Sequence, residues 1–310
     1  MNLFATVLTH TAPSANYRGE SAENRAVIQK ITKDRFEYAI ISPEAMRNAI
    51  REHLRRFGLP CNRERLGDEE QLAVRFSDYP DADRFADDFF MGWLVAASAN
   101  DRKKILGELE KAGRDTKRFH FRQDSVLRMN MAVALEPYRH DTVFTQSPAQ
   151  KDSPWKNADK SQLLHRETAY TAYQYPFALN LEDCRDKPAW TRTLLRTVGE
   201  LNDVAGNHAR SYFEMAPASI LVRLTKQLVA GYDTYGFSIE NGRHQLREIV
   251  DGIQQGDYPG SEFFLGGQLV KEMDQDTTAA LTEQGATLDR NPQRLLMTVA
   301  DQARLGTATE

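Results

Sequence analysis

Residues 36–60 read FEYAIISPEAMRNAIREHLRRFGLP, a short apolar strand followed at once by an amphipathic helix. Ser42 is a good N-cap residue, and Pro43 suits the first helical position, where a missing N–H costs nothing. Apolar side chains then recur at spacings of three and four, and Gly58 stands just beyond the last of them. The pattern therefore predicts a strand over Phe36–Ile41 that leads into a helix with one buried face.

The same helix carries a second stripe, made of arginines. Arg47, Arg51 and Arg55 recur every four residues beside the apolar stripe. One interpretation is a solvated helix face, because exposed helices are often charged. The other is a contact with nucleic-acid phosphates, and the sequence upstream favours it. Residues 14–18 read SANYR, and an amide, an aromatic ring and a guanidinium group suit a single-stranded backbone and its unstacked bases.

Three segments of the chain resemble a known family. SANYRGE at residues 14–20 and ISPEAMRNAIRE at residues 41–52 are similar to the start of the crRNA-backbone subunit of type I CRISPR Cascade complexes, the Cas protein numbered seven. Within that family, part of the repeat-associated (RAMP) superfamily, the DevR-like branch is the most similar. GNHARSYFEMAPASILVRLT at residues 206–225 resembles a second segment of the same proteins. The resemblance spans most of the chain and is weakest in its middle and C-terminal tail.

The resemblance implies an α+β fold with a ferredoxin-like, RRM-like core (the palm), a helical insertion and a projecting thumb. The chain is then divided into palm, first part, 1–61; mostly helical insertion, 62–121; palm strand, 122–138; thumb, 139–166; palm, second part, 167–225; and C-terminal helical decoration, 226–310. Alternating patterns predict strands over 3–9, 126–137, 170–181 and 220–224. Helical patterns cover 89–99, 101–111, 189–205, 238–255 and 292–304.

Two of these segments bear directly on RNA. Residues 139–166 contain two prolines, many polar residues and five basic residues against three acidic ones, so a thumb and a disordered surface loop both fit them. The aromatic strand 170–181 suits base stacking, but we favour the sheet core for it. Residue types and resemblance together nominate as RNA-binding Ser14, Asn16, Tyr17, Arg18, Arg25, Lys30, Arg47, Arg51, Lys151, Lys156, Lys160, Asn207, His208 and Arg210.

Composition excludes several other classes of protein. With 310 residues, 41% hydrophobic content and a net charge of −4, the chain fits a globular cytoplasmic protein without a membrane-spanning segment or signal peptide. Cys61 and Cys184 belong to no CxxC pattern, which favours two reduced thiols. Charge is unevenly spread, since residues 14–56 hold nine Lys/Arg and six Asp/Glu, whereas residues 271–310 hold four and seven.

No motif in the chain indicates catalysis. None of the seven histidines belongs to an HExxH, HxH or Cys/His zinc pattern, so the sequence predicts no metal, no cofactor and no catalytic residue. A RAMP-type endoribonuclease that processes repeat RNA stays open, with His10 or His208 as general acid or base. A DNA-binding regulator with residues 42–57 as recognition helix also stays open, although a strand precedes that helix where such a motif needs another helix.

The partners follow from the resemblance alone. It implies a non-catalytic subunit that binds crRNA and lines up with other copies of itself along the guide, as a helical oligomer in antiviral defence. Guide bases left exposed would pair with the target DNA strand, and the other Cascade subunits would bind alongside. In such an assembly the protein holds the RNA backbone, and base pairing supplies the sequence specificity.

Overall fold

The structure is a computed structural model that describes residues 1–14, 25–65, 74–146, 163–204 and 212–305. The strands within these ranges are β1 (Asn2–Leu8), β2 (Ala12–Ser14), β3 (Arg25–Ala26), β4 (Lys30–Lys33), β5 (Phe36–Ile41), β6 (Arg63–Arg65), β7 (Val74–Phe76), β8 (Trp93–Leu94), β9 (Arg122–Gln123), β10 (Arg128–Met129), β11 (Ala132–Ala134), β12 (Thr142–Gln146), β13 (Leu163–Glu167), β14 (Ala169–Thr171), β15 (Tyr173–Asn180), β16 (Ser219–Thr225), β17 (Ser238–Glu240), β18 (Arg243–Gln245), β19 (Phe263–Gly267) and β20 (Thr287–Asp289). The helices are α1 (Pro43–Arg56), α2 (Ala86–Met91), α3 (Ala99–Lys111), α4 (Pro188–Gly199), α5 (Arg247–Gln255), α6 (Gln268–Glu272), α7 (Gln275–Glu283) and α8 (Pro292–Gln302).

A mixed sheet forms the centre of this α+β fold. Its order is β20-β19-β16-β1-β15-β11-β5-β4, and β10 pairs with β15 outside this path. The central strand β1 runs antiparallel to both neighbours, so that Leu8 lies opposite Gln174 of β15 and Ser219 of β16. Only the pairing of β19 with β20 is parallel within this sheet as described. The chain thus runs from β1 through α1, β11, β15 and α4 to β16. The four strands among these elements lie side by side in the sheet, in the order β16-β1-β15-β11.

Helices α1, α4 and α8 cover one face of the sheet. Met46, Ile50 and Leu54 of α1 form one buried cluster with α4, α8 and the inward side chains of β1 and β15, among them Tyr175 and Phe177. These are the positions that the spacing of three and four assigns to the apolar stripe. Burying a side chain of this size contributes about 1.5–3 kcal/mol, so the stripe fixes α1 on the sheet.

The opposite face is covered by α5, α6 and α7, and by the segment 226–237. Ile249 and Leu281 pack with Leu221 of β16 in a second buried cluster. Beside it the Gln174 side chain exchanges two hydrogen bonds with the backbone of Phe237, at 3.4 and 3.1 Å. None of the helices in the described ranges is both long and apolar enough to cross a membrane.

A buried ionic network joins residues 62–63 and helix α2 to α1. Asp87 and Asp88 are fully buried. Asp87 accepts hydrogen bonds from the backbone N–H groups of Asn62 (2.7 Å) and Arg63 (3.0 Å), and it lies 3.3 Å from Nε of Arg51. Asp88 accepts a hydrogen bond from the Asn62 amide at 2.8 Å. Because desolvation raises the pKa of Asp88, these donors are needed to keep its carboxylate charged.

Several sequence predictions are confirmed by the structure. The predicted strand Phe36–Ile41 has the observed bounds, the helix begins at Pro43 as predicted and ends at Arg56, and Ser42 accepts the capping hydrogen bond from Ala45 N. Strands were also correctly predicted near 3–9 and 220–224. The predicted helices 101–111 and 292–304 are α3 and α8 within two residues. Cys61 and Cys184 are both free thiols.

Other element predictions were wrong in part, each for a local reason. The helix expected over 89–99 ends at Met91, because Gly92 has a φ of +63° and a Cβ there would overlap the backbone of 123–125. The helix expected over 238–255 begins only at Arg247, because Asn241 and Gly242 both take positive φ and form a hairpin turn between β17 and β18.

Three further boundaries differ. The helix predicted over 189–205 ends at Gly199, after which the Leu201 carbonyl accepts a hydrogen bond from Met215 N at 2.8 Å. The strand predicted over 126–137 is two short strands, β10 and β11, which pair with β15 at separate points. The strand predicted over 170–181 is divided at Ala172 into β14 and β15.

Candidate nucleic-acid interface

Tyr173, the first residue of β15, connects elements that are distant in sequence. It is 1% exposed, and its hydroxyl lies 2.7 Å from the hydroxyl of Ser14. Since Ser14 Oγ donates to the Ala169 carbonyl at 3.3 Å, Tyr173 is the donor to Ser14. The ring of Phe213 meets the Tyr173 ring edge-on, with centroids 6.3 Å apart. Desolvation raises the pKa of Tyr173 to about 12, so the phenol stays protonated. We call these four residues the Tyr173 junction.

The Tyr173 junction gathers the described ends of three segments nominated from the sequence. Ser14 immediately precedes residues 15–24, Ala169 follows the strand that comes after 147–162, and Phe213 follows 205–211. The nominated residues Asn16, Tyr17, Arg18, Lys151, Lys156, Lys160, Asn207, His208 and Arg210 lie within these segments, outside the described residues. Ser14 itself is 3% exposed and bonded within the junction, and its nomination as an RNA contact stays a prediction.

Two of the three segments also begin or end on one small sheet. Strands β12 and β13 pair antiparallel from Thr142 opposite Glu167 to Gln146 opposite Leu163. Strand β3 adds to β13 in parallel, with Arg25 opposite His165. The described part of residues 139–166 therefore contains a strand pair. After residues 15–24 the chain continues in β3, which lies at the edge of that pair.

Lys30 is held by a buried carboxylate. Glu167 is 6% exposed and accepts hydrogen bonds from Ile28 N at 3.2 Å and from Lys30 Nζ at 3.1 Å. The ammonium of Lys30 also lies 4.4 Å from the centre of the Tyr138 ring. Since its charge is balanced inside the protein, Lys30 is less available to a phosphate, and its nomination as an RNA contact stays a prediction.

The arginines of the α1 stripe differ in environment. Arg51 is 6% exposed, forms the ion pair with Asp87 and donates to Asn48 Oδ1 at 2.7 Å. Its guanidinium is occupied by the network that joins α2 to α1, which argues against a phosphate contact there, and the nomination of Arg51 stays a prediction. Sequence spacing could not reveal this partner, which lies 36 positions further along the chain.

Arg47 has a different environment from Arg51. Its Nη2 donates to the Leu127 carbonyl at 3.4 Å, while its Nε is buried without a hydrogen-bond partner among the described residues. Burial lowers the pKa of Arg47, and the nearby charges of Arg128 and Arg63 lower it further, against the opposing effect of Glu44. Arg63 already pairs with the buried Asp88 at 3.4 Å, so the positive charge left for an anion such as a phosphate comes from Arg47 and the exposed Arg128.

Arg47 lies away from the Tyr173 junction. Arg128 follows Leu127 and pairs with Ala178, five residues along β15 from Tyr173, or roughly 17 Å at the usual rise of a strand. The opposite end of α1 approaches the third segment, since Arg56 lies 3.1 Å from Asp203. The expected proximity of Arg47 to residues 16–18 thus has no support in the described part of the chain.

Sequence reasoning missed the exposed aromatic residues beside the Tyr173 junction. Tyr170 is 73% exposed next to Ala169, and Tyr212 is 78% exposed next to Phe213. Tyr173 and Tyr175 are buried as expected, and Tyr170 has the opposite parity in the alternation, a signal that would have found it. Exposed tyrosines of this kind offer stacking surfaces for unpaired bases.

Few of the described residues are candidates for catalysis. His10 is exposed just beyond β1, and His208 lies outside the described ranges. His244 is 8% exposed, and its Nδ1 lies 2.7 Å from Ser219 Oγ inside the protein. Across those same ranges, no group of three or more His, Cys, Asp or Glu side chains is arranged to hold a metal ion.

Comparisons with known proteins agree with this arrangement. The chain is 30% identical over 282 residues to the CRISPR-associated protein Cas7/Cst2/DevR of Myxococcus xanthus (strain DK1622), covering 87% of this chain and 88% of the relative. Two solved structures at 11% identity share the fold over 98% of this chain and 100% of theirs. One is described as a CRISPR RNA-guided surveillance complex (TM-score 0.55), and the other as a CRISPR RNA-guided surveillance complex before nicking (TM-score 0.54). No family model matches the chain.

Proposed function

Because the chain belongs to the Cas7/Cst2/DevR family of CRISPR-associated proteins, we propose that it is the crRNA-binding backbone subunit of a type I Cascade complex in antiviral defence. It binds guide RNA without cutting it. Several copies lie along one guide, and the exposed bases pair with the target DNA strand. The other Cascade subunits are its further partners, and the cytoplasm is its location.

The Tyr173 junction is the observation that carries this proposal. Loops held by a rigid scaffold are the usual carriers of binding residues. Here the ends of three nominated segments meet around one buried tyrosine, and Tyr170 and Tyr212 stand exposed beside them. Basic and amide side chains for the backbone, together with aromatic rings for the bases, form the combination that single-stranded RNA requires.

The finer division of the fold is part of the same proposal. Strands β16-β1-β15-β11 with α1 and α4 have the order and connections of a ferredoxin-like palm, in support of that assignment. The strand pair β12–β13 would be the base of the thumb, and 62–121 the insertion. The two palm parts, 1–61 and 167–225, then meet at the pairing of β1 with β15 and β16.

We assign the phosphate contact on α1 to Arg47 and withdraw it from Arg51. Arg47 combines partial exposure, a buried Nε without a described partner and two arginine neighbours, Arg63 and Arg128. An anion placed there would satisfy the unpaired N–H and relieve the repulsion between Arg47 and Arg128. The contact would serve any guide sequence, because phosphates carry no sequence information.

The experiment uses the purified chain and labelled guide RNAs of unrelated sequence. We expect similar affinity for each RNA, a steep dependence on salt, and no cleavage product after long incubation without metal ions. Replacing Tyr170 and Tyr212 with Ala should lower affinity by about 1–3 kcal/mol for each stacked base that is lost. Phe36→Ala, an exposed aromatic at the turn between β4 and β5, is the matched control and should change little.

Two results would contradict the proposal. Cleavage of repeat RNA that disappears in His10→Ala or His208→Ala would identify an endoribonuclease instead. Sequence-specific binding of double-stranded DNA that depends on residues 42–57 would identify a regulator.

A further inference from the structure

Two exposed apolar side chains stand together at the tip of segment 226–237. Leu228 is 87% exposed and Val229 is 62% exposed. The tip is firmly supported from below, because Arg223, itself 2% exposed, donates to the Ala230 carbonyl at 2.6 Å. Apolar side chains presented to water on a rigid support are typical of a contact surface.

The tip adjoins a strongly acidic surface. Residues 247–289 hold nine acidic and two basic residues, a net charge of −7. Tyr258, just beyond α5, connects the helix to the tip, because its hydroxyl donates to Glu248 of α5 at 2.8 Å and lies 3.2 Å from the Gly231 carbonyl. Exposed carboxylates without an ion-pair partner in the described part of the chain are Asp251, Asp257, Asp276 and Glu283. We call residues 226–289 the acidic face.

The insertion presents the opposite charge. Residues 99–122 hold eight basic and four acidic residues, a net charge of +4. The exposed lysines here that form no ion pair with any described residue are Lys103, Lys104, Lys111 and Lys117. An apolar side chain stands beside them, since Leu94 is 74% exposed and lies opposite Arg122 in the β8–β9 pair. We call residues 93–122 the basic face.

The two faces lie on opposite sides of the central sheet. The insertion is attached through α2, whose Phe90 packs with Met46 of α1 in the cluster under the first face. Helices α5 and α7 pack in the cluster on the other face, through Ile249 and Leu281. Complementary surfaces on opposite sides of one molecule form a head-to-tail contact, which each added copy repeats.

We propose that the acidic face of one copy docks on the basic face of the next, with Leu228 and Val229 meeting the exposed Leu94. This inference rests on the proposed function, which requires aligned copies, and names the surfaces that align them. A nucleic acid would match the basic face alone and would leave the apolar tip uncovered. A second copy matches the charge and the apolar residues of both faces.

The test counts the copies bound to two single-stranded RNAs, one long enough for a single copy and one for several, by mass photometry. Lys103→Glu with Lys104→Glu should bind the short RNA like the wild type. On the long RNA it should need about tenfold more protein to place the second copy. Asp276→Lys with Glu283→Lys should have the same effect. Combining all four substitutions restores the charge complementarity and should restore assembly.

The control changes charge by the same amount elsewhere. Arg290→Glu with Arg304→Glu, both exposed and outside the residues that define the two faces, should leave assembly on the long RNA intact. Failure of the fourfold variant to regain assembly would overturn the proposal. So would normal assembly of Lys103→Glu with Lys104→Glu accompanied by weaker binding to double-stranded DNA, which would make the basic face a nucleic-acid surface. Absence of wild-type binding to the short RNA would contradict the proposed function instead.

Discussion

At the residue scale, two arginines one helical turn apart on α1 have different neighbours and are expected to do different things. Arg51 is paired with the fully buried Asp87, so Arg51→Ala leaves an uncompensated carboxylate inside the protein. We expect a loss of about 3–5 kcal/mol in the free energy of unfolding, measured by urea denaturation. The salt dependence of RNA binding by the folded variant should not change.

Arg47→Ala should show the reverse pattern. Stability should fall by about 1 kcal/mol or less, since Arg47 is only half-buried and donates one long hydrogen bond. RNA binding should weaken equally for all guide sequences, and the slope of log affinity against log salt should decrease by about 1 for one lost phosphate contact. An unchanged slope would return Arg47 to the solvated-face interpretation.

Tyr173→Phe tests the Tyr173 junction with the loss of one oxygen atom. Ser14 keeps its bond to the Ala169 carbonyl, so stability should fall by only about 1 kcal/mol. RNA affinity should fall more clearly, because Ser14 anchors the start of the 15–24 segment. The matched control is Tyr235→Phe, which loses a 2.7 Å bond to the Met131 carbonyl far from the junction. Equal affinities for the two variants would contradict the role of the junction.

At the element scale, the β17–β18 hairpin is attached to the sheet through a buried histidine. Ser219 Oγ accepts a hydrogen bond from Leu269 N at 2.8 Å and lies 2.7 Å from Nδ1 of His244. Burial lowers the pKa of His244 below its usual 6.5, against the opposing charge of Glu272. Stability from this contact is therefore present above pH 6.5 and is lost as pH falls through 6.5 towards the folded-state pKa.

The measurement compares urea unfolding at pH 7.5 and pH 5.5. The wild type should lose more stability over this interval than His244→Gln, which cannot titrate there. Carboxylates that titrate at lower pH are common to both proteins and cancel in the comparison. Parallel pH profiles for the two proteins would show that His244 does not fasten the hairpin through its neutral form.

The thumb proposal makes a prediction about the segment that follows β12. Residues 147–162 contain two prolines and three lysines, and the chain rejoins the strand pair at Leu163. Limited proteolysis of the free protein should cut between Gln146 and Ser161, and bound RNA should protect these sites. Identical cutting with and without RNA would count against a thumb that folds over the guide.

Elements with local signals were predictable from the sequence, and those set by distant partners were not. Ser42, Pro43 and the apolar spacing lie within one segment, so the start of α1 was predicted to the residue and its end to within about one residue. Asn241-Gly242 is also a local signal for a hairpin, and it was missed in favour of helical periodicity. The ion pairs of Arg51 and Lys30 depend on Asp87 and Glu167, which only the folded chain brings near. Residue types alone therefore could not show that these two nominated side chains have partners inside the protein.

At the scale of the whole molecule, the small net charge of −4 does not show that acidic and basic residues are concentrated in different parts of the chain. If copies align along a guide, the mass of the complex should rise in equal steps as the RNA is lengthened, because each copy covers a fixed number of nucleotides. Size-exclusion chromatography with light scattering on RNAs of graded length measures this. A mass that stays at one copy for every length would contradict assembly along the guide.

The meeting of three segment ends at one tyrosine also has an entropic consequence. The described residues on either side of 15–24 and of 147–162, namely Ser14, Arg25, Gln146 and Leu163, belong to strands whose positions are set when the protein folds. The distance between the two ends of each segment is therefore fixed before RNA arrives, and binding does not have to bring those ends together. More of the interaction energy then remains as affinity. Mutations that loosen the anchors should weaken binding through unfavourable entropy, while the side chains that touch the RNA stay the same.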